Sequence, residues 1–208
     1  MIFLLMALGG LAQMWAWRLV AVRYLTIWTG VVPALVAGGA AALLSDRVAL
    51  TPKVSLPIAV VAGLLGGLGL FAATRGFMVV AAGSPTFGRA SRRVYQEQQT
   101  LPLSVAFVVS VGLAVPGEEL FWRGLFQGKA SQVFGSFVGA LLAWGCYVVV
   151  NASSGLLALL AGAVVGGAVW GALAWWTHGV LAPLLCHAVW TGLMLVRGPV
   201  RQRSGLRV

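Results

Sequence analysis

The chain has 208 residues, of which 60% are hydrophobic and only 9% are charged, and its formal net charge is +10. A water-soluble domain of this length needs far more polar surface, so the composition excludes one. The basic residues fall between and after apolar segments, where anionic lipid headgroups attract them, so the positive charge indicates membrane topology and no nucleic-acid partner is expected.

Apolar segments that could cross a bilayer recur along the whole sequence. A hydrocarbon core of about 30 Å takes roughly 20 helical residues to span. The segments are 1–17, 24–44, 54–82, 102–127, 133–151, 155–176 and 179–196. They predict an all-α fold, a polytopic transmembrane bundle of about seven helices, within one membrane domain over residues 1–208.

The first and third segments have features of their own. Residues 1–17 have neither a basic start nor a small-residue cleavage site, so they predict a membrane helix and not a removable signal peptide. The third segment is longer than a crossing requires and has Arg75 near its end. It is therefore expected to tilt, to kink or to continue along the membrane interface.

Lysine and arginine residues are distributed unevenly over the connections between these segments. If the N-terminus lies outside, three of them face outwards: Arg47, Lys53 and Lys129. Nine face the inside: Arg18, Arg23, Arg89, Arg92, Arg93, Arg197, Arg201, Arg203 and Arg207. Because positively charged loops stay in the cytoplasm, the excess places the arginine-rich loop 84–101 and the C-terminal tail there. The expected location is the plasma (inner) membrane of a prokaryote.

The fourth segment contains an anomalous group of charged residues. The chain has four acidic residues, and two of them, Glu118 and Glu119, lie side by side in this segment close to Arg123. A charge in the middle of a membrane costs about 2.5 to 10 kcal/mol, so such residues face a bundle interior or a water-filled cavity and mark a functional site.

Helical geometry predicts different tasks for the two glutamates. Residues four apart on a helix touch, so Glu119 is expected to pair with Arg123. Glu118 points to a neighbouring face and stays free to take a proton from water in a partly desolvated pocket. Pro116 removes a backbone donor and Gly117 follows it, which predicts a kink or a loosened turn that opens space for water.

The same stretch resembles a known motif. The sequence EELFWRG at residues 118–124 is similar to the EExxxR motif of the CPBP family, which comprises the CAAX prenyl proteases and the bacteriocin-processing (Abi) intramembrane proteases. Pro116 and Gly124 stand where members of that family often have a proline and a glycine.

Two further motifs of that family have partial counterparts downstream. Tyr147-Val-Val-Val-Asn151 stands where the family has FxxxH, and His187-Ala-Val-Trp-Thr191 stands where it has HxxxN. The resemblance covers about residues 102–196 and identifies these helices as a catalytic core.

The resemblance implies a role for each of these positions. Glu118 would be the base that activates water, and Asn151, in place of the family's histidine, would orient that water by hydrogen bonds. His187 and the hydroxyl of Thr191 would face the oxyanion that forms on the scissile carbonyl. The catalytic set is then Glu118, Glu119, Arg123, Asn151, His187 and Thr191.

A cofactor is not expected. Zinc favours three good protein ligands and a water, and Glu118, Glu119 and the single His187 are a poor set for it. A metal-free glutamate mechanism is therefore favoured. A divalent metal, if one binds, would be held by Glu118 and His187.

These observations favour an intramembrane endopeptidase that cuts a peptide or a prenylated tail entering from the membrane. Its partners would be membrane lipid and a peptide or lipidated protein substrate. The departures at Asn151 and Thr191 favour the alternative of a non-catalytic relative that acts as a membrane scaffold or peptide-binding protein. A carrier or proton-coupled channel that uses Glu118 stays open as a third hypothesis, although no inverted repeat is visible.

Overall fold

The long apolar segments form helices, because a helix satisfies its own backbone polar groups in lipid. The structure, a computed structural model, describes residues 2–45, 48–81, 84–98 and 100–197. Within these ranges there are eight helices and no strand. They are α1 (Ile2–Ala21), α2 (Ile27–Leu44), α3 (Leu56–Ala81), α4 (Pro85–Gln98), α5 (Leu103–Phe134), α6 (Ser136–Ala152), α7 (Leu157–Thr177) and α8 (Leu181–Arg197).

Seven of these helices have the character of membrane helices. α1, α2, α3, α5 and α7 are long and apolar enough to cross a bilayer, and α6 and α8 are apolar but shorter. Each coincides with one predicted segment, so the all-α, polytopic bundle is confirmed. The largest shift in bounds is at α5, which continues to Phe134 and ends before Gly135, whose φ is 87°.

The arginine-rich stretch 84–101 was predicted to be a loop, and this prediction was wrong, because α4 occupies most of it. Its polar sequence lacks the apolar run that marks a membrane helix, so hydropathy does not reveal it. The helix is fixed to the end of α1. There the guanidinium of Arg93 donates to the carbonyls of Val20, at 3.2 Å, and Ala21, at 2.8 Å.

The connections after α2 and after α7 meet at the opposite end of the bundle. The Lys53 amide donates to the Thr177 carbonyl at 2.8 Å, and the Val180 amide donates to the Ala49 carbonyl at 3.1 Å. Several residues of the predicted charge asymmetry lie outside the described residues: Arg47, Arg201, Arg203 and Arg207. The sidedness of the protein therefore stays a prediction.

α5 is irregular on both sides of the glutamates. A π-helical turn over Ser110–Ala114 precedes the α-helical turn Val115–Glu119, and a second π-helical stretch runs over Leu120–Gln127. Proline at the start of the middle turn cannot donate a backbone hydrogen bond, and π-helical turns are frequent at functional sites. The first π-helical turn is the loosened turn expected before the glutamates.

Glycines set the distances between the helices that carry the site. A Cβ on Gly67 of α3 would lie 2.7 Å from the carbonyl oxygen of Cys186 in α8, and a Cβ on Gly117 of α5 would lie 2.5 Å from the carbonyl oxygen of Leu35 in α2. Any larger residue would push these backbones apart. Small residues therefore allow α8 and α5 to sit deep in the bundle.

Candidate active site

Glu119 lies at the centre of α5 and is fully buried. Its Oε1 accepts a hydrogen bond from Nη1 of Arg123 at 3.2 Å and lies 2.8 Å from Nδ1 of His187. The pairing of Glu119 with Arg123, predicted from their spacing, is confirmed. One carboxylate oxygen thus joins residues from α5 and α8, which lie far apart in the sequence.

The guanidinium of Arg123 is enclosed by two other helices. Its Nη2 donates to the carbonyl of Gly167 in α7 at 3.3 Å. Its Cζ lies 4.5 Å from the ring centroid of Tyr147 in α6 and 5.3 Å from that of Trp170 in α7. A buried cation is stabilised by its counterion, by carbonyl oxygens and by aromatic faces, and all three are present here.

His187 is held between Glu119 and Trp170. The imidazole stacks on the indole of Trp170 with ring centroids 3.7 Å apart and an interplanar angle of 15°. The residue is 5% exposed, so its ring orientation is fixed by packing as well as by the contact to Glu119. That contact uses Nδ1 and leaves Nε2 for another partner.

In the expected catalytic set Glu118 acts together with His187, but the structure shows a different pairing. The contact to the histidine is made by Glu119, because the face of α5 that carries Glu119 and Arg123 is turned towards α7 and α8. Glu118, about 100° away around the helix, lies instead against the side chain of Tyr147 in α6.

Glu118 is the more accessible of the two glutamates. It is partly exposed, whereas Glu119 is fully buried. Within the part of the chain that the structure describes, Glu118 forms no ion pair with a basic side chain. The two carboxylates therefore have different environments: one is neutralised and enclosed, and the other faces a tyrosine and retains free acceptor capacity.

The remaining two residues of the expected site are Asn151 in α6 and Thr191 in α8. Within the described residues, neither is hydrogen-bonded to Glu118 or Glu119. Asn151 is buried in α6, one turn after Tyr147, and its Nδ2 donates to the Tyr147 carbonyl at 2.9 Å. Thr191 is partly buried in α8, one turn after His187. Among the described residues, no hydrogen bond joins Asn151 or Thr191 to Glu118 or to His187.

Two residues of the site were not singled out from the sequence. Trp170, which contacts both Arg123 and His187, stands within a run of small apolar residues. Gln13 of α1 is buried, and its Oε1 accepts a hydrogen bond from Nε1 of Trp122 at 2.8 Å. A polar amide in an apolar segment is a signal that could have identified Gln13.

The residues at the centre of the bundle do not form a metal-binding set. Across the residues that the structure describes, no group of three or more His, Cys, Asp and Glu side chains could hold a metal ion. Glu119 already shares one oxygen with a cation and a histidine, and its Oε2 is buried without a hydrogen-bond partner in the same ranges.

Residues 99–193, slightly under half of the chain, match the family model of Rce1-like proteins, described as type II CAAX prenyl endopeptidases. The predicted range of the resemblance, 102–196, agrees with these bounds, and the resemblance to the CPBP family is confirmed over them. Neither a search of curated proteins nor a search of solved structures found a match.

Proposed function

We propose that the protein is an intramembrane endopeptidase of the CPBP type, because residues 99–193 match the family model of Rce1-like proteins, described as type II CAAX prenyl endopeptidases. Its substrate would be a membrane-associated peptide, including a prenylated one, that enters the bundle from the lipid. In this proposal residues 1–208 act as a single membrane domain, and residues 102–196 supply the catalytic core.

The proposal is carried by the contrast between the two adjacent glutamates at the centre of α5. Arg123 and His187 both contact Glu119, which is enclosed. Glu118 has no such counterion among the described residues and keeps its capacity to accept a proton. A partly desolvated carboxylate that lacks an ion pair is a suitable general base for activating water.

Glu119 gives His187 a defined chemical role in this scheme. An ionised carboxylate can only accept hydrogen bonds, so the contact with Glu119 requires the proton of His187 to be on Nδ1. The Nε2 atom can then donate to a developing oxyanion when the ring is doubly protonated. Glu119 and the stacked Trp170 hold the ring in a fixed orientation.

The two departures from the family motifs fit supporting roles. The amide of Asn151 would help to position the water, and the hydroxyl of Thr191 would donate to the oxyanion beside His187. Both roles require small movements when substrate binds, because neither side chain is hydrogen-bonded to Glu118 or His187 in the described residues. Catalytic hydrogen bonds commonly tighten only in the complex.

We further propose that the protein resides in the plasma membrane of a prokaryote with its C-terminal tail in the cytoplasm, on the strength of the distribution of basic residues. A lipidated tail would then reach the bundle from the surrounding membrane.

The second candidate is a non-catalytic relative that binds such a peptide without cutting it. Asn151 and Thr191 favour it, because neither supplies the imidazole or the amide of the family motifs. The fixed Glu119 and His187 pair would serve equally as a rigid polar lining for a bound peptide. The two candidates differ only in turnover.

The deciding experiment measures cleavage of a prenylated peptide by purified protein in nanodiscs. Glu118→Gln should lower the rate by about a hundredfold or more, because the general base is lost while the size of the side chain is kept. Lys129→Gln, which removes one charge near the end of the same helix, is the matched control and should cleave at the original rate. Peptide binding without cleavage by the unaltered protein would favour the second candidate, and an unchanged rate in Glu118→Gln would contradict the proposed base.

A further inference from the structure

A polar cavity lies at the end of the bundle where α1 ends and α2 begins, and the last turns of α4 line it as well. Its volume is about 330 Å³. The side chains that line it are mainly charged or hydroxylated, in contrast to the apolar helices on either side. The polar residues with charged, amide or aliphatic hydroxyl side chains are Arg23, Thr26, Thr29, Arg93, Gln96 and Glu97.

The backbone at Arg23 has a conformation that favours glycine. Its φ is 62°, and the amides that follow α1 donate back to it, from Arg23 to the Val20 carbonyl at 3.1 Å and from Tyr24 to the Leu19 carbonyl at 2.9 Å. Glycine is the usual residue at this position of a helix C-terminus. An arginine here carries a conformational cost, and this arginine is one of the residues that line the cavity.

The second guanidinium of the cavity is fixed in place. Arg93 lies one turn before Glu97 on α4, yet it donates to the Val20 and Ala21 carbonyls at the end of α1 and does not pair with that glutamate. Arg23, in the part of the chain that the structure describes, makes no side-chain hydrogen bond or ion pair. It is therefore the guanidinium available to a ligand.

Glu97 requires the ligand to supply a hydrogen-bond donor. Its Oε2 is buried and has no hydrogen-bond partner among the described residues. A carboxylate oxygen in this state needs a donor, which a bare phosphate at neutral pH supplies poorly. The two arginines and the glutamate together carry one net positive charge, so a ligand with one negative charge and a neighbouring hydroxyl matches the cavity.

We propose that this cavity binds the headgroup of an anionic glycerophospholipid. Arg23 binds the phosphodiester together with the one hydroxyl hydrogen that stays free on the Thr26 and Thr29 pair, whose hydroxyl oxygens are hydrogen-bonded to each other at 3.0 Å. A glycerol-type hydroxyl donates to Glu97. The position of the cavity supports a lipid source, because it lies where the apolar helix α1 ends and α2 begins, beside the last turns of the arginine-rich α4. None of the residues that line it belongs to α5, and the site does not depend on the proposed cleavage.

Native mass spectrometry of the purified full chain tests the site, with phosphatidylglycerol as the probe. Arg23→Gly should lower the occupancy by bound lipid about tenfold or more, because a charged hydrogen bond is lost. Glycine also relieves the backbone at this position, so the variant should fold at least as well as the original protein. Arg18→Gln, an exposed arginine near the same end of α1 but not in the cavity, is the matched control and should bind as before.

Two further binding measurements identify the ligand. Phosphatidylcholine with the same acyl chains should bind at least about tenfold more weakly, since its headgroup has no net charge and no hydrogen-bond donor. Soluble glycerol 3-phosphate at the concentration of the lipid should not displace it. Equal binding of phosphatidylcholine, displacement by the soluble phosphate, or equal losses in Arg23→Gly and Arg18→Gln would each overturn the proposal.

Discussion

Glu118 and Glu119 are chemically identical neighbours, and the surrounding helices give them different environments. The helix turns by about 100° between them, which directs one towards α6 and the other towards α7 and α8. The enclosed carboxylate of Glu119 compensates the buried charge of Arg123 and orients His187. Stability and catalysis should therefore separate between two consecutive residues.

Neutralising Glu119 should destabilise the fold more than neutralising Glu118. In Glu119→Gln the buried guanidinium of Arg123 loses its counterion, which costs about 3 kcal/mol in the free energy of unfolding. Glu118→Gln should change that free energy by less than about 1 kcal/mol, because no ion pair is broken among the described residues. Chemical unfolding in detergent measures both, and equal losses would contradict the division of tasks.

The sequence predicted the pair of Glu119 and Arg123 but not the contact of Glu119 with His187. The first follows from a spacing of four residues within one helix. The second depends on which face of α5 meets α8, and this is set by packing between helices that are 68 residues apart at the contact. Trp170 shows the same limit, because nothing in its local sequence reveals that it stacks on an imidazole.

At the scale of helices, α3 and α8 determine where His187 stands. The backbone of Gly67 lies against the carbonyl of Cys186 and the side chain of Val189. Those two residues flank the histidine in α8. A change in the separation of these helices would therefore move the imidazole relative to Glu119.

Gly67→Ala should weaken both the fold and the proposed activity. The added methyl would lie 2.7 Å from the carbonyl oxygen of Cys186, and overpacking of this kind costs about 1–3 kcal/mol. Gly69→Ala, two residues along the same helix, is the control, because its methyl would meet nothing within 4 Å. That variant should be neutral or more stable by up to about 1 kcal/mol. Thermal unfolding and peptide cleavage of both variants would check this, and equal behaviour would exclude a close contact at Gly67.

The elements themselves differed in how well the sequence revealed them. The seven apolar helices were predicted because twenty-residue hydrophobic runs have few alternatives in a membrane. α4 was missed because its polar sequence satisfies no hydropathy criterion, and its position depends on Arg93 and on the end of α1. In the sequence, only Pro116 indicated that α5 would be irregular.

At the scale of the molecule, the matched domain is completed by helices that precede it. Residues 99–193 contain the EExxxR motif and both partial counterparts, yet α2 packs closely on Gly117 and α3 packs on α8. Hydropathy predicted the apolar helices, but it contains no information about which of them are neighbours. The first three helices are therefore part of the framework of the site.

The link between Gln13 and Trp122 shows most directly how α1 supports the site. Trp122 is buried next to Arg123, and its indole packs against the ring of Tyr147 with centroids 5.5 Å apart. Tyr147 in turn contacts both Arg123 and Glu118. A single hydrogen bond from the indole to Gln13 fixes the outer end of this chain of contacts.

A double-mutant cycle on this pair should show coupling between α1 and the matched domain. Gln13→Leu should lower the free energy of unfolding by about 1–2 kcal/mol, because the indole N–H of Trp122 loses its buried acceptor. Trp122→Phe removes the donor, so the double variant should be less destabilised than the sum of the two by about 0.6–1 kcal/mol. Gln132→Leu is the control, since that side chain is exposed, and it should change stability by less than about 0.5 kcal/mol. Strict additivity of the two buried substitutions would mean that α1 contributes surface area to the bundle but does not position the aromatic residues beside Glu118.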